Sequence, residues 1–484
     1  MALELASKAP APTPGDLRIP AAWERYFRAL LQRGNSGRRA VLQRDITGAL
    51  GRAIHRDLKV LEVGVGRGET LAGLPNAVRH GIDWLPEAVE IARGRDPGMR
   101  VELGEATTFT SNERYDAIVA DRLIHSVHDV QRLLENLRRH LTDDGRIYLT
   151  CFNYLWAGPL AAAAAVGVVE RGPEENWLGE ATLDNLFDLT DLEAIRAEDR
   201  MILPADVPGV STVLNKWMAK VDPFRAASLY RLYTLRPRRV ARPKAPKVTV
   251  VVPARNEAGN IQAAVDRTPV MGSSTEIIFV EGGSSDGTYE KIQEVVATYK
   301  GPLKLSACKQ VGKGKADAVR EGFGRAQGDM LMILDADLTV PPEELPKFFD
   351  AMVAGRADYV HGNRMVYPME SEAMRFLNKI GNAGFAKVFT FLLDQPMKDT
   401  LCGTKVLWSE DYERLAKNRS YFGDFDPFGD FDLIFGASKL QLKILEIPIR
   451  YKNRTYGETN ISRFRHGLIL LRMSVFAARK LKFI

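Results

Sequence analysis

The sequence predicts two α/β domains, each built on a largely parallel sheet covered by helices on both faces. Three observations carry this. First, 484 residues leave room for two large domains, each able to bury a core of its own. Second, short β-branched apolar runs alternate with amphipathic stretches in both halves, the pattern of strands buried on both faces between crossover helices. Third, the segment 236–247, RPRRVARPKAPK, holds three prolines and six basic residues with no acid. It reads as a linker between the halves.

In order along the chain, residues 1–19 form an Ala/Pro-rich lead-in expected to be disordered. The first domain is expected over 20–236. Its strands are predicted at LKVLEV (58–63), AVRHGI (77–82), YDAIVA (115–120) and GRIYLT (145–150), with helices such as 86–95 and 130–141 between them. After a linker at 237–247, the second domain is expected over 248–460. Strands KVTVVV (247–252), TEIIFV (275–280) and MLMILD (330–335) alternate there with helical stretches at 257–267, 286–299 and 312–326. A basic amphipathic helix is expected over 461–484, with Ile461, Phe464, Leu468, Leu471 and Val475 on one stripe. Arg465, Arg472 and Arg479 recur every seven residues beside it. Phe376–Leu393 is a second amphipathic candidate.

Composition excludes several classes. With 45% apolar and 26% charged residues the chain is an ordinary globular protein. Cys151, Cys308 and Cys402 are scattered without a CxxC pair, which predicts a reducing cytoplasm and no structural zinc. The opening lacks the basic and apolar regions of a signal peptide. The longest apolar run, 157–169, is too short for a membrane-spanning helix. From Arg450 to Ile484 nine basic residues face one acid, a local +8 in a chain of formal charge +6, so the remainder carries −2. Basicity confined to the tail argues against nucleic acid as partner. It fits an anionic ligand, or peripheral contact with an anionic membrane.

In the first half, strand 58–63 runs into Gly64-Val-Gly66-Arg-Gly68. Glycines there let the backbone approach a ligand at the carboxyl edge of a sheet. Glu69 stands where a dinucleotide fingerprint would place its third glycine, which disfavours NAD. Further stations follow in order: Gly81-Ile-Asp83, Gly104-Glu105-Ala106, the segment 115–125 and the segment 141–149. With these five stations the half resembles class I S-adenosylmethionine-dependent methyltransferases, a Rossmann-like fold, over about 20–236. The resemblance implies S-adenosylmethionine as cofactor. Glu62, Gly64, Gly66 and Gly68 would flank its methionine end, Asp83 would hold the ribose hydroxyls, and Glu105 and Ala106 would lie by the adenine. Solvated strand-end acids are the plainer reading of Asp83 and Glu105. His125 is either a base toward a hydroxyl of the methyl acceptor or a surface or capping histidine.

In the second half, a buried strand opens at Pro253-Ala-Arg-Asn-Glu257, the next is followed by Glu281-Gly-Gly-Ser-Ser-Asp286-Gly-Thr, and Asp335-Ala-Asp337 closes a third. Alternate residues of an extended segment face one way, so both carboxylates of that triplet can reach one ligand. With diphosphate oxygens they make a hard site for Mg²⁺ or Mn²⁺. DxD triplets also occur at 424–426 and 430–432, but only Asp335–Asp337 follows a strongly apolar strand. With the segments 312–319, 326–329, 338–343, 362–364, 399–405 and 446–454, this half resembles the family 2 inverting glycosyltransferases of GT-A fold. The match is nearest to the dolichyl-phosphate mannosyltransferase-like branch, over about 247–465. The resemblance implies a nucleotide-sugar donor, with Pro253, Glu257 and Glu281 at the nucleoside, Asp286 elsewhere in the nucleotide-sugar site and Asp335 and Asp337 on the metal. Lys315, Arg364 and Arg454 are the phosphate-binding candidates. Gly282 stands where the family often has a second acid, which leaves uridine and guanosine both open. Asp430 is favoured over Asp399 as catalytic carboxylate, with helix capping as the plainer role for either.

The expected function is a bifunctional transferase. Metal-dependent inverting glycosyl transfer would run from a UDP- or GDP-linked sugar to a polyprenyl-phosphate or glycan acceptor, with methylation in the same glycan or glycolipid pathway. The alternative keeps the glycosyltransferase and makes the first domain a non-catalytic S-adenosylmethionine-binding or docking module.

Overall fold

The computed structural model describes residues 21–479 apart from 168, 170, 171, 174, 240, 242–244, 369–375, 418–430, 455 and 457–470. The chain divides into two units, Met1–Pro237 and Arg238–Ile484. The expected lead-in, part of the linker and most of the expected tail helix lie outside the described residues, as does Asp430.

The first unit opens with two helices, α1 (Ala21–Arg33) and α2 (Gly37–Ala53). Strands β1 (Val60–Val63), β2 (Arg79–Asp83) and β3 (Arg100–Leu103) then alternate with α3 (Glu69–Ala72) and α4 (Pro86–Arg95). They are followed by β4 (Tyr115–Asp121), α5 (Val130–Arg139), β5 (Leu141–Phe152), α6 (Ala157–Ala165), α7 (Glu180–Leu189), β6 (Leu192–Arg200) and β7 (Tyr230–Pro237). The sheet order is β3-β2-β1-β4-β5-β7-β6. The first five are mutually parallel, whereas β7 runs antiparallel to both β5 and β6.

In the second unit, β8 (Lys247–Ala254), β9 (Ser274–Glu281), β10 (Lys304–Lys309) and β11 (Met330–Ile333) alternate with α8 (Ile261–Arg267), α9 (Thr288–Thr298) and α10 (Gly314–Arg325). Then come α11 (Leu345–Val353), β12 (Tyr359–Asn363), α12 (Phe376–Leu393), β13 (Lys405–Trp408), α13 (Ser409–Lys417), α14 (Phe431–Lys439) and β14 (Ile444–Pro448). The sheet order is β10-β9-β8-β11-β13-β12-β14, with β13 antiparallel to both neighbours. Both sheets are therefore mixed rather than wholly parallel. Each parallel half was legible as continuous apolar runs, and the antiparallel strands follow later in the chain.

Those runs are continuous because each strand serves two cores. In β8, Val248, Val250 and Val252 pack on one face and Val251 on the other. In β11, Met330 and Met332 face one core while Leu331 and Ile333 face the second. Likewise Ile118 and Ala120 of β4 join one cluster, Ala117 and Val119 the other. Each such Val, Leu, Ile or Met side chain contributes roughly 1.5–3 kcal/mol by burial. In both units the strand order reverses beside the first strand, between β1 and β4 and between β8 and β11. There the crossover helices diverge and leave a crevice at the carboxyl ends. Among the described residues no helix is long and apolar enough to cross a membrane.

Candidate active sites

In the first unit the crevice beyond β1 becomes a cleft of about 1500 Å³. Glu62, Gly64, Gly66, Asp83, Glu105 and Ala106 all line it. The loop after β1 is pinned from both sides. The Gly64 amide donates to Ile82 O at 2.8 Å and the Gly66 amide to Asp83 Oδ2 at 2.8 Å. Gly66 has φ +51, and a Cβ there would point into open space, which is the close approach a ligand needs. Gly68 stands back from the cleft and makes the turn into α3. Its φ is +74, and a Cβ would sit 3.0 Å from that of Ala92.

Asp83 ends β2, with Oδ1 accepting from the Leu85 amide at 2.9 Å. Burial raises its pKa, yet a carboxylate retains lone pairs beyond those two bonds for a diol. Glu62 is buried and accepts from the Leu71 amide at 3.0 Å. Burial, and then the charges of Asp121 and Asp83, push its pKa well up. Glu105 caps its own turn, Oε2 accepting from the Thr107 amide at 2.9 Å and Thr108 Oγ1 at 3.1 Å. A pre-formed glycine cradle with an acid at the end of the neighbouring strand fits a nucleoside cofactor.

His125 has both ring nitrogens committed. Nδ1 lies 2.7 Å from Asn176 O, and Nε2 accepts from the Phe152 amide at 2.9 Å. The partners assign a neutral imidazole with the proton on Nδ1, and burial lowers its pKa. His125 is thus a buried histidine that ties together backbone of two other segments, neither the surface or capping residue expected nor a base free to act in this geometry. Sequence reasoning missed the contributions of α1 and α2. Trp23 and Phe27 stack at 5.3 Å on the cleft wall. Gln43 accepts from Arg122 at 2.8 Å, while Arg122 also chelates Asp121. The aromatic run Trp23-Glu-Arg-Tyr26-Phe27 was the available signal.

In the second unit the corresponding crevice collects charged groups from distant parts of the chain. Asp335 and Asp337 do not continue β11 as an extended pair. The Leu338 amide bonds back to Asp335 O at 3.1 Å, and Leu338 has φ +50, so the triplet is a turn. Expected extended alternation gives way because β11 ends at Ile333. Lys315, at the start of α10, reaches Asp335 Oδ1 at 2.5 Å. Arg454 bridges Asp337 Oδ2 at 2.6 Å and Glu257 Oε1 at 3.3 Å. Gly403 passes so close that a Cβ would overlap both Asp335 and Lys315.

The loops after β8 and β9 interlock. The Glu257 amide donates to Thr288 Oγ1 at 2.9 Å and the Asn256 amide to Ser284 Oγ at 3.0 Å. Pro253 lies in β8, paired with Val280. Glu281 is buried and accepts from the Ser284 amide, shaping its own loop. Asp286 accepts from the Ala258 amide and from the Tyr456 hydroxyl, both at 3.2 Å. Arg454 thus ties Glu257 to Asp337, Lys315 holds Asp335 of the same turn, and Asp286 approaches Glu257 through the Ala258 amide.

Asp399 and Arg364 form a separate, buried pair. Arg364 Nε and Nη2 meet the two carboxylate oxygens at 2.7 and 2.8 Å. The Arg364 amide (3.0 Å), Asn382 Nδ2 (3.2 Å) and the Leu401 amide (3.0 Å) also donate to Asp399. Burial alone would raise the Asp399 pKa, but the Arg364 charge and these bonds outweigh it and hold the carboxyl well below its ordinary range. A carboxylate so held is a weak proton acceptor, and Arg364, stacked over Tyr451 at 5.0 Å, is already spent. Asp430, the other candidate base, lies outside the described residues.

As a test of metal fit, the donor set is two carboxylates on one turn. Among the described residues no three His, Cys, Asp or Glu side chains cluster as a metal site. A hard cation there would take its remaining oxygens from a diphosphate, and two carboxylates flanked by Lys315 and Arg454 suit that combination.

Residues 28–197 match the family described as Methyltransferase domain, and residues 249–421 match Glycosyl transferase family 2. A dolichol-phosphate mannosyltransferase of Pyrococcus furiosus is 32% identical over 219 residues, 44% of this chain and 59% of that protein. An undecaprenyl-phosphate 4-deoxy-4-formamido-L-arabinose transferase of Edwardsiella ictaluri is 35% identical over 232 residues, 46% of this chain and 64% of that protein. The chain spans less than two thirds of the length of either relative. A SAM-dependent methyltransferase structure from Thermotoga maritima aligns at a TM-score of 0.35 and 15% identity, over 44% of this chain and 99% of that one. The chain thus carries a segment that matches a methyltransferase domain, followed by a segment that matches glycosyl transferase family 2.

Proposed function

We propose that the second unit transfers a sugar from a UDP- or GDP-linked donor to a polyprenyl phosphate, and that the first unit methylates a compound of the same glycan or glycolipid pathway. The observation that carries the first half is the turn Asp335–Asp337 at the strand-order reversal, bonded to Lys315 and Arg454. In this reading Glu257, Glu281 and Asp286 shape the nucleoside side of the site, with Pro253 one residue before the end of β8. Lys315 and Arg454 supply positive charge where the leaving diphosphate develops negative charge. Asp335 and Asp337 would hold Mg²⁺ or Mn²⁺, which supplies further charge neutralisation at that diphosphate. The names of both curated relatives include a polyprenyl phosphate, and such an acceptor is already ionised. It needs no base, which agrees with a sequestered Asp399 acting as a positioning residue. A glycan acceptor would need one, and Asp430 is the candidate.

In the first unit S-adenosylmethionine would supply an activated methyl group. Glu62, the glycine loop and Asp83 would bind its two ends, and with His125 spent the chain's contribution to transfer is orientation. That same observation favours the second reading, a cofactor-binding module without turnover. Labelled methyl transfer from S-adenosylmethionine into a cell-envelope lipid extract decides between them. Incorporation that depends on Asp83 supports catalysis, and cofactor binding without incorporation supports the module.

Membrane contact is part of the proposal. The helix at 471–477 turns Met473 and Ala477 inward and leaves Leu471 53% and Val475 47% exposed, with Arg472 and Arg479 also exposed. Each arginine near an anionic surface contributes about 1 kcal/mol. Association with liposomes should require anionic lipid and weaken in Arg472→Glu/Arg479→Glu. Equal binding to neutral vesicles, or none, would remove this part of the proposal.

A further inference from the structure

We infer that the methyl acceptor of the first unit is an amphiphile whose hydrocarbon chain lies along α6. The inference rests on the methyltransferase reading and names the substrate class of that site. Ligand pockets commonly occupy roughly 300–1,000 Å³. The cleft here, at about 1500 Å³, has room for a second sizeable molecule beside a nucleoside cofactor. Trp156, Leu160, Ala163, Trp177 and Leu203 line the same cleft as Glu62, Gly66 and Asp83.

The polar atoms on that wall are spent. Trp156 Nε1 donates to Ala227 O at 3.2 Å, Trp177 Nε1 to Glu175 Oε2 at 3.1 Å, and both nitrogens of His125 are held by backbone. What the wall presents to a ligand is therefore hydrocarbon and ring faces. Trp177, Phe152 and His125 pack ring against ring, with Phe152 stacked on Trp177 at 6.2 Å. The acceptor must present an apolar face to them.

The wall also leads out of the cleft. Helix α6, sequence AGPLAAAAA, is wholly apolar yet buries none of its side chains. An amphipathic helix of a globular domain normally buries its apolar stripe, so α6 carries apolar surface that the first unit does not use. On either side of it Tyr154, Leu155 and Val166 are 55%, 65% and 73% exposed. A compact aromatic acceptor would end at the ring cluster. A chain-bearing acceptor continues onto this strip, and because the strip begins inside the cofactor cleft, its occupant is the molecule presented for methylation. The lipid-linked product proposed for the second unit has this chemistry.

The test is calorimetry on the full chain saturated with S-adenosylhomocysteine, titrated with phosphate-free n-alkanols of six, eight and ten carbons and with methanol as the chainless control. Affinity should rise about fourfold per buried methylene, with no binding of methanol in this range. Leu160→Glu and Ala163→Glu, on a helix with no buried side chain, should flatten the chain-length dependence and leave S-adenosylhomocysteine affinity unchanged. Asp337→Asn, in the other unit, should change neither. Binding independent of chain length would overturn the inference, as would a dependence that survives both α6 variants. A change of oligomeric state in those variants without any alkyl dependence would assign the strip to a second copy instead. Failure of wild-type protein to bind S-adenosylhomocysteine would overturn the methyltransferase reading beneath it, and is read separately from the alkyl series.

Discussion

Replacing Asp399 by Asn separates a structural from a catalytic role for this carboxylate. Asparagine keeps the shape and one acceptor oxygen but removes the charge and points an NH₂ group at donors. The Arg364 guanidinium, buried and bonded to both oxygens at 2.7 and 2.8 Å, would be left without its counter-charge. Breaking a buried pair from one side costs about 3–5 kcal/mol. For a unit of this size each kcal/mol moves the melting temperature by about 2–4 °C, so the transition of the second unit should fall by roughly 6–20 °C. Differential scanning calorimetry of the full chain would follow it, with the transition of the first unit unmoved. The pH dependence has a definite sign. Because the folded-state pKa of Asp399 is depressed, the stability it contributes is present above its unfolded value near 3.9 and is lost as pH falls below it. The gap between variant and wild type should therefore narrow progressively as pH falls below about 4 toward the depressed folded-state value. A stability change under about 1 kcal/mol, combined with abolished sugar transfer at a temperature where the variant is folded, would refute the structural assignment and restore Asp399 as catalytic.

Asp83→Ala should weaken S-adenosylmethionine binding by roughly 1–3 kcal/mol, since it removes the proposed ribose acceptor and frees the amides of Gly66 and Leu85. Unchanged affinity by titration calorimetry would move the cofactor elsewhere. Burial and neighbouring acids raise the pKa of Glu62, and a cationic ligand end opposes them. Binding should then release a proton and tighten as pH rises above the ordinary glutamate range, and binding heats that do not vary with the ionisation heat of the buffer would contradict this. Arg454→Ala removes the bridge between Glu257 and Asp337. It should lower kcat/KM for the nucleotide sugar by about 10- to 150-fold, and wild-type kinetics would exclude Arg454 from the donor site.

The parallel strands could be read directly because both faces of β1, β4, β8 and β11 are buried. Edge strands could not. In β10 most of Lys304–Lys309 is exposed, and the edge strand β6 is held to its neighbour β7 by cross-strand ion pairs such as Arg231–Asp199 and Arg236–Glu193. Neither produces an apolar run. The site stations at 62–68, 83, 105–106, 253–257, 281–286 and 335–337 were legible because each lies at or just past the end of a strand. The cross-links between them were not. Arg454 meets Asp337 across 117 residues and Glu257 across 197, and no local pattern encodes that. For the same reason the sequence left Asp399 a candidate base, because its burial depends on Arg364, 35 residues away.

The central claim is that one chain carries two transferase sites, of which the second uses Asp337 to move sugar onto a lipid phosphate. It is tested most directly by incubating the full chain with Mn²⁺, polyprenyl phosphate and a panel of radiolabelled UDP- and GDP-sugars, then partitioning the products into organic solvent. Organic-soluble label from one nucleotide sugar, absent with Asp337→Asn and unaffected by Asp83→Ala, is the predicted result. Label that stays aqueous with every donor, or that appears equally with Asp337→Asn, would contradict the account.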